Sequence, residues 1–361
     1  MNNYFKNSQK ILLKLNNYKN LNQTNIRYNV FFYNLYENMK KEMLKININE
    51  IEAEKISISV NNYFEDNQFT SEEIKKYIFE NLKYCYKFQY ENNTIIFFCK
   101  KNIRKIPKKI YDMFVIIKLL KILFKRNSEQ KIIYFETDKK KKLPSKNKIL
   151  GPNEVNSGLT YLDFHKNGDI ILYRKEELLK VLIHELIHSN LIDKELIFSN
   201  KSKKINDIIC SNYKILLNEG FTETFATIIN IFYIHIKLNL DLKYLNIMFQ
   251  NEINYSNYIT NKIIKFYNIE KIDNIIKINN KCSEYFLQET NVISYYLFKN
   301  ILLNNHLELG KILLNNNKNY QINNENAIIE IINLIESNID KIKIYNFKDK
   351  NKSLKLCLYE I

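Results

Sequence analysis

Residues Val181 to Asn190 read Val-Leu-Ile-His-Glu-Leu-Ile-His-Ser-Asn, so His184, Glu185 and His188 form an H-E-x-x-H pattern. On a helix, side chains four positions apart lie one turn above each other. The two imidazoles can therefore converge on one metal ion, with Glu185 offset toward a water on that ion. Two neutral imidazoles plus a carboxylate suit Zn2+ and leave its fourth position open. With only 5 His in 361 residues, random placement would produce the pattern about 0.005 times in such a chain, so it is informative. Two histidines leave the site a ligand short. Asp193 follows His188 by five residues. Glu219 and Glu223 stand one turn apart in the helix-compatible stretch Leu216-Leu-Asn-Glu-Gly-Phe-Thr-Glu-Thr-Phe-Ala226. One carboxylate can bind the metal while another accepts the remaining N–H of a ligand histidine, fixing its tautomer.

These two stretches together resemble the gluzincin branch of the zincin metallopeptidases, in which H-E-x-x-H is followed by a second helix bearing an N-E motif. Asn218-Glu219-Gly220-Phe221-Thr222 is similar to that element. The resemblance implies that Glu219 is the third zinc ligand and that Glu223 orients a histidine. It also implies that Ser157, Gly158, Leu159 and Thr160, ahead of the first histidine, belong to the edge strand on which a peptide substrate lies. A donor for the tetrahedral oxyanion is implied in the C-terminal part of the chain, where Tyr295, Tyr296 and His306 are the candidates. The run from Asn156 to Ala226 is also similar to predicted metallopeptidases of large DNA viruses. One departure is the gap between His188 and Glu219, 219 minus 188 or 31 residues, which is longer than in the better-known gluzincins. No exopeptidase motif is present. The implied activity is a zinc-dependent endopeptidase in which Glu185 takes a proton from water and passes it to the leaving amine. Its alternatives are a catalytically silent zincin-type structural or peptide-binding protein and a basic nucleic-acid-associated protein.

The elements that must position these residues are legible in part. Periodicity predicts a helix over Ile26–Leu44, a half-buried strand over Lys55–Val60, and a helix running from a Thr70/Glu73 capping box toward Tyr84. Tyr86–Tyr90 and Thr94–Cys99 flank Glu91-Asn92-Asn93 as a hairpin. Pro107 opens a helix over Lys108–Phe124, and Lys131–Glu136 reads as a buried strand. Leu159–Phe164 and Ile170–Tyr173 are joined through Asn167-Gly168, a pair suited to a tight turn. A helix over about 175–190 carries the motif, with Glu176 and Glu177 complementing its N-terminal dipole. His235, on an apolar helix, reads as a satisfied core histidine, and His165 as exposed beside the turn. Helical periodicity dominates from Tyr213 to Ile335, and Ile342–Ile361 reads as a strand-and-turn tail. Strands before and helices after make an α+β fold. The resemblance makes its centre a zincin-like lobe of small twisted sheet plus active-site helix. The expected organisation is a flexible arm over 1–25, a mixed N-terminal lobe over 26–130, the catalytic lobe over 131–250 and a helical lobe over 251–361.

Composition sets the remaining bounds. Hydrophobic residues at 45% and charged residues at 26% exclude a disordered or collagenous chain. The charge of +16, from 55 basic and 39 acidic residues, attracts polyanions without specificity. Surplus lysine is, however, what A/T-rich codon usage supplies. Lys139–Lys142, the dense basic run, reads as a solvated loop, and no specific nucleic-acid partner is expected. Five scattered cysteines without C-x-x-C spacing indicate neither a disulfide framework nor a thiolate metal site. No apolar run reaches spanning length. A protein or peptide substrate and an intracellular, cytoplasmic or virus-associated location are the expectations.

Overall fold

The computed structural model describes residues 25–57, 59–60, 69–145, 148–161, 168–277, 281–318, 320–345 and 351–361. The predicted arm up to residue 24, Ile58, the 162–164 end of one predicted strand, His165 and the Lys166-Asn167 part of the predicted turn lie outside them. The chain is α+β, and among the described residues helix exceeds strand.

A six-stranded sheet holds β1 (Glu52–Ile56), β2 (Tyr84–Tyr90), β3 (Asn93–Cys99), β4 (Gln130–Phe135), β5 (Gly158–Thr160) and β6 (Ile170–Leu172), in the order β1-β2-β3-β4-β6-β5. Only the β3–β4 and β4–β6 pairs are parallel. The period of two sends alternate side chains to opposite faces. Ile95, Phe97, Ile132, Tyr134, Ile170 and Leu172 enter the main core, while Ile96, Phe98, Ile133, Phe135, Ile171 and Tyr173 enter a smaller one. Strands buried on both faces need cover on both. Helix α1 (Val30–Met43) packs on α3 (Lys108–Phe124) within the main core, and α2 (Glu72–Asn81) covers the smaller core through Ile74 and Ile78. The segments read as N-terminal and catalytic lobes thus contribute neighbouring strands to one sheet.

After the short helix α4 (Pro152–Val155) and strands β5 and β6 come α5 (Leu178–Ser189) and α6 (Lys194–Phe198). The long helices α7 (Leu217–Lys237) and α8 (Leu242–Phe266) follow. A π-helical segment, Ile293–Phe298, then leads into α9 (Lys299–Asn304), α10 (His306–Asn315) and α11 (Glu325–Ile339). None of the described helices is long and apolar enough to cross a membrane.

Several expectations need correction. The predicted strand over Lys55–Val60 begins earlier, at Glu52, and is exposed along most of its length, because pairing with β2 holds it rather than burial. The cap of α2 is Ser71, whose hydroxyl accepts from Ile74 N–H at 3.3 Å, and not Thr70. The motif helix starts at Leu178. Glu177 sits ahead of it at φ 59° with its carboxylate turned to the Leu356 and Cys357 amides, so it does not complement the dipole as expected. Lys141 is buried at 1% exposure and pairs with Glu177 at 2.9 Å, so the basic run is not wholly solvated. Cys210 and Cys282 form a disulfide across a separation of 72 residues, a partnership the scattered spacing hid. The tail contributes no strand among the described residues beyond an isolated bridge between Lys142 and Ser353.

Candidate metal centre

Helix α5 carries His184, Glu185 and His188, and it packs between the sheet and α7. Its side chains are buried all round, which a single amphipathic face would not achieve. The two Nε2 atoms of His184 and His188 face each other at 3.1 Å. Glu219, in the first turn of α7, places Oε2 at 3.3 Å from His184 Nε2 and 3.5 Å from His188 Nε2. Three donors bound about 2.0–2.1 Å from a tetrahedral ion stand about 3.3–3.4 Å apart, so this triangle has the dimensions of one face of a zinc site. Glu219 Oε2 is also buried with no hydrogen-bond partner. A buried carboxylate oxygen facing only ring nitrogens costs free energy unless something cationic neutralises it. The donor set therefore fits a divalent ion.

The opposite nitrogens of both rings are engaged by carboxylates. His184 Nδ1 lies 3.1 Å from Glu223 Oε2, one helical turn along α7 from Glu219. His188 Nδ1 lies 2.7 Å from Asp193 Oδ2. Asp193 reaches back because α5 ends in a left-handed turn at Leu191, φ 54°. Thr222 Oγ1 donates to it at 3.2 Å, and Asn218 Nδ2 lies 3.4 Å away. Asp193 thus holds the Nδ1 side of His188 and lies outside the cluster of His184, His188 and Glu219 donor atoms. Glu223 receives Lys180 Nζ on both oxygens, at 2.5 and 2.7 Å. Lys180 is the residue that inspection of the motif missed. The signal was present, since it stands four positions before His184 on the same helix face.

Burial opposes charge on His184, but the Glu219 and Glu223 carboxylates beside its two ring nitrogens hold its pKa above the usual 6.5. His188 is likewise raised well above 6.5, as Asp193 and Glu219 outweigh its burial. Burial would raise Glu219, yet the His188 charge and both imidazole contacts hold it well below the carboxylate range. Metal ions bind neutral imidazole, so an ion held here would compete with protons for both rings. Zinc affinity is therefore expected to climb with pH through and above 6.5, with proton release on binding; calorimetry across about pH 6 to 8 checks this. Asp193→Ala is expected to keep the fold and lose about 10- to 100-fold in zinc affinity, measured by chelator competition.

Glu185 faces β5. Thr160 Oγ1 donates to its Oε2 at 2.8 Å. Burial pushes the Glu185 carboxyl above its usual range, against the two imidazoles and the Thr160 hydroxyl, which favour the ionised form. A Cβ on Gly158 would lie 3.0 Å from Glu185 Oε1 and 2.9 Å from Ile171 O, so only glycine leaves this carboxylate its place. Leu159, between them, turns into the smaller core. The Ser157 hydroxyl is buried without a partner. Among the described residues strand β5 pairs on one side only, with β6, so it is the sheet edge nearest the cluster.

The candidate donors separate cleanly. Tyr295 is half-buried with its ring 5.9 Å from that of His184. Burial and the nearby Glu219 and Glu185 raise its pKa well above 10.0, keeping its proton on. Tyr296 faces away and donates to Leu354 O at 2.7 Å, so the expectation of a catalytic role for it is corrected. His306 packs on Phe249 at 5.0 Å and its ring bonds only locally, to Leu303 O, which removes it as well. The two tyrosines are adjacent in the π-helical segment, so they point in different directions. Gly220 permits a close approach between elements. A Cβ there would lie 2.8 Å from Phe298 Cβ and 3.1 Å from Ser294 O, so the close approach is to the π segment and not to α5. His235, as expected, is a satisfied core residue, bonded to Tyr36 OH and Asp241 O.

No family model matches the chain, and no solved structure matches it. An uncharacterized protein of Acanthamoeba polyphaga mimivirus is 27% identical over 195 residues, covering 52% of this chain and 48% of the viral one. The chain thus spans about half the length of the curated relative it matches.

Proposed function

We propose that this protein is a zinc-dependent endopeptidase of gluzincin type. The observation that carries the reading is the 3.1, 3.3 and 3.5 Å triangle of His184, His188 and Glu219 donors, with both distal ring nitrogens held by carboxylates. His184, His188 and Glu219 would hold the ion. When bound, zinc supplies Lewis acidity that polarises a carbonyl and brings the pKa of water toward neutrality.

The chain's own residues do the rest. Glu185, its pKa raised by burial and its Oε2 anchored by Thr160, is the base that takes a proton from water and returns it to the leaving nitrogen. The outer edge of β5, unpaired among the described residues, can accept an extended peptide as an added strand, which aligns a backbone carbonyl beside Glu185. Tyr295 O–H is the donor for charge developing on that carbonyl. Tyr295→Phe is expected to lower kcat by about 10²-fold with KM little changed. Tyr296→Phe is expected to leave turnover intact and cost about 1 kcal/mol of stability from its lost bond to Leu354 O. Steady-state assays and denaturant unfolding separate the two.

The direct test is hydrolysis of a mixed peptide library by the purified full chain with and without a chelator. Chelator-sensitive internal cleavage supports the proposal. A zinc-loaded protein that cleaves nothing would instead be a silent relative that uses the site for binding or structure.

A further inference from the structure

Behind the metal cluster runs a line of buried charges that the proposed chemistry does not use. Lys299, at the start of α9, is 1% exposed. Its Nζ lies 3.8 Å from Glu223 Oε1 and 3.7 Å from Glu252 Oε1, and it donates to the carbonyl of Leu356. Glu252 accepts from Leu358 N–H at 3.0 Å. Glu177 accepts from Leu356 N–H at 2.8 Å and Cys357 N–H at 2.6 Å. Past the bridge at Ser353, the segment Leu354–Tyr359 is held mainly by side chains, with Tyr296, Tyr255 and Asn230 donating to its carbonyls. The line His184, Glu223, Lys299, Glu252 therefore ends on the backbone of a buried segment that begins 354 minus 299, or 55, positions after Lys299.

Charges this deep in a low-dielectric interior fix one another, and losing any member leaves its neighbour uncompensated. With Nε2 of His184 engaged by a metal ion, Nδ1 must donate to Glu223. Glu223 is then set against Lys299, and Lys299 against both Glu252 and Leu356 O. We infer that the metal centre and residues 354–359 form one cooperative unit joined through Lys299, a positioning residue, so that metal occupancy and the seating of this segment stabilise each other. Linkage makes the effect reciprocal. The inference rests on the zinc-site reading above.

The test is amide hydrogen exchange on the full chain with and without one equivalent of Zn2+, followed at Leu356, Cys357 and Leu358 and compared with β2 and β3 as internal controls. Zinc is expected to slow the three amides about tenfold more than the controls, a coupling of ordinary size. In Lys299→Met that extra slowing should vanish and zinc affinity should fall by about tenfold or more. A residue that only stabilised the fold would lower the overall protection and leave the zinc-dependent difference in place. Glu252→Gln keeps an acceptor for Leu358 N–H while removing the charge. It serves if Lys299→Met does not fold, and the same loss of zinc-dependent slowing is expected. Zinc binding without any extra slowing in the unmodified protein would overturn the inference and leave the metal site standing, whereas no zinc binding at all would overturn both.

Discussion

Glu219→Ala should emerge from native purification without zinc, while Glu223→Ala, prepared in parallel, should retain it at reduced affinity. The two carboxylates are one turn apart on α7, but their partners differ. Glu219 Oε2 faces two Nε2 atoms and has no hydrogen-bond donor of its own, whereas Glu223 is saturated by Lys180 and the far side of the His184 ring. Zinc-site formation of about 10–16 kcal/mol, spread over three or four ligands, gives about 4 kcal/mol each, or about a thousandfold in affinity. Loss of an orienting carboxylate costs about 10- to 100-fold. Metal analysis of both variants after identical dialysis checks the contrast. The reverse pattern would exchange the two roles.

Glu185→Gln is expected to lower peptide hydrolysis by about 10²- to 10⁴-fold, the range a positioned general base supplies, while zinc content stays at the unmodified level. The glutamine can still accept from Thr160 Oγ1, so the side chain keeps its place and loses only its ability to take a proton. Turnover measured beside metal content separates this outcome from a simple loss of the site. If the variant loses its zinc as well, Glu185 has a structural role in holding the ion.

Much of this site was legible because helical period and residue chemistry act locally. The four-residue spacing of His184 and His188, and that of Glu219 and Glu223, follows from one turn of helix. Lys108–Phe124 was equally readable, because Pro107 marks its start and apolar residues fill it. What stayed hidden depends on contacts distant in sequence. Lys299 reaches Glu223 from 76 positions away, 299 minus 223, and nothing in either local pattern announces it. Cys210 and Cys282 are brought together only by the packing of their segments. The choice between Tyr295 and Tyr296 turned on how their helical segment packs, since adjacent residues on a helix face different directions and this segment lies close against α7 at Gly220. Asp193 was noticed for its distance from His188, but its role required the left-handed turn at Leu191 that aims it at Nδ1.

Whether His184, His188 and Glu219 hold one zinc ion is decided by anomalous diffraction at the zinc edge from crystals of the purified protein. A single strong peak is expected about 2.0–2.1 Å from His184 Nε2, His188 Nε2 and Glu219 Oε2, absent in crystals of Glu219→Ala. A zinc-supplemented crystal with no peak between these three atoms, or with its peak at other residues, would contradict the assignment.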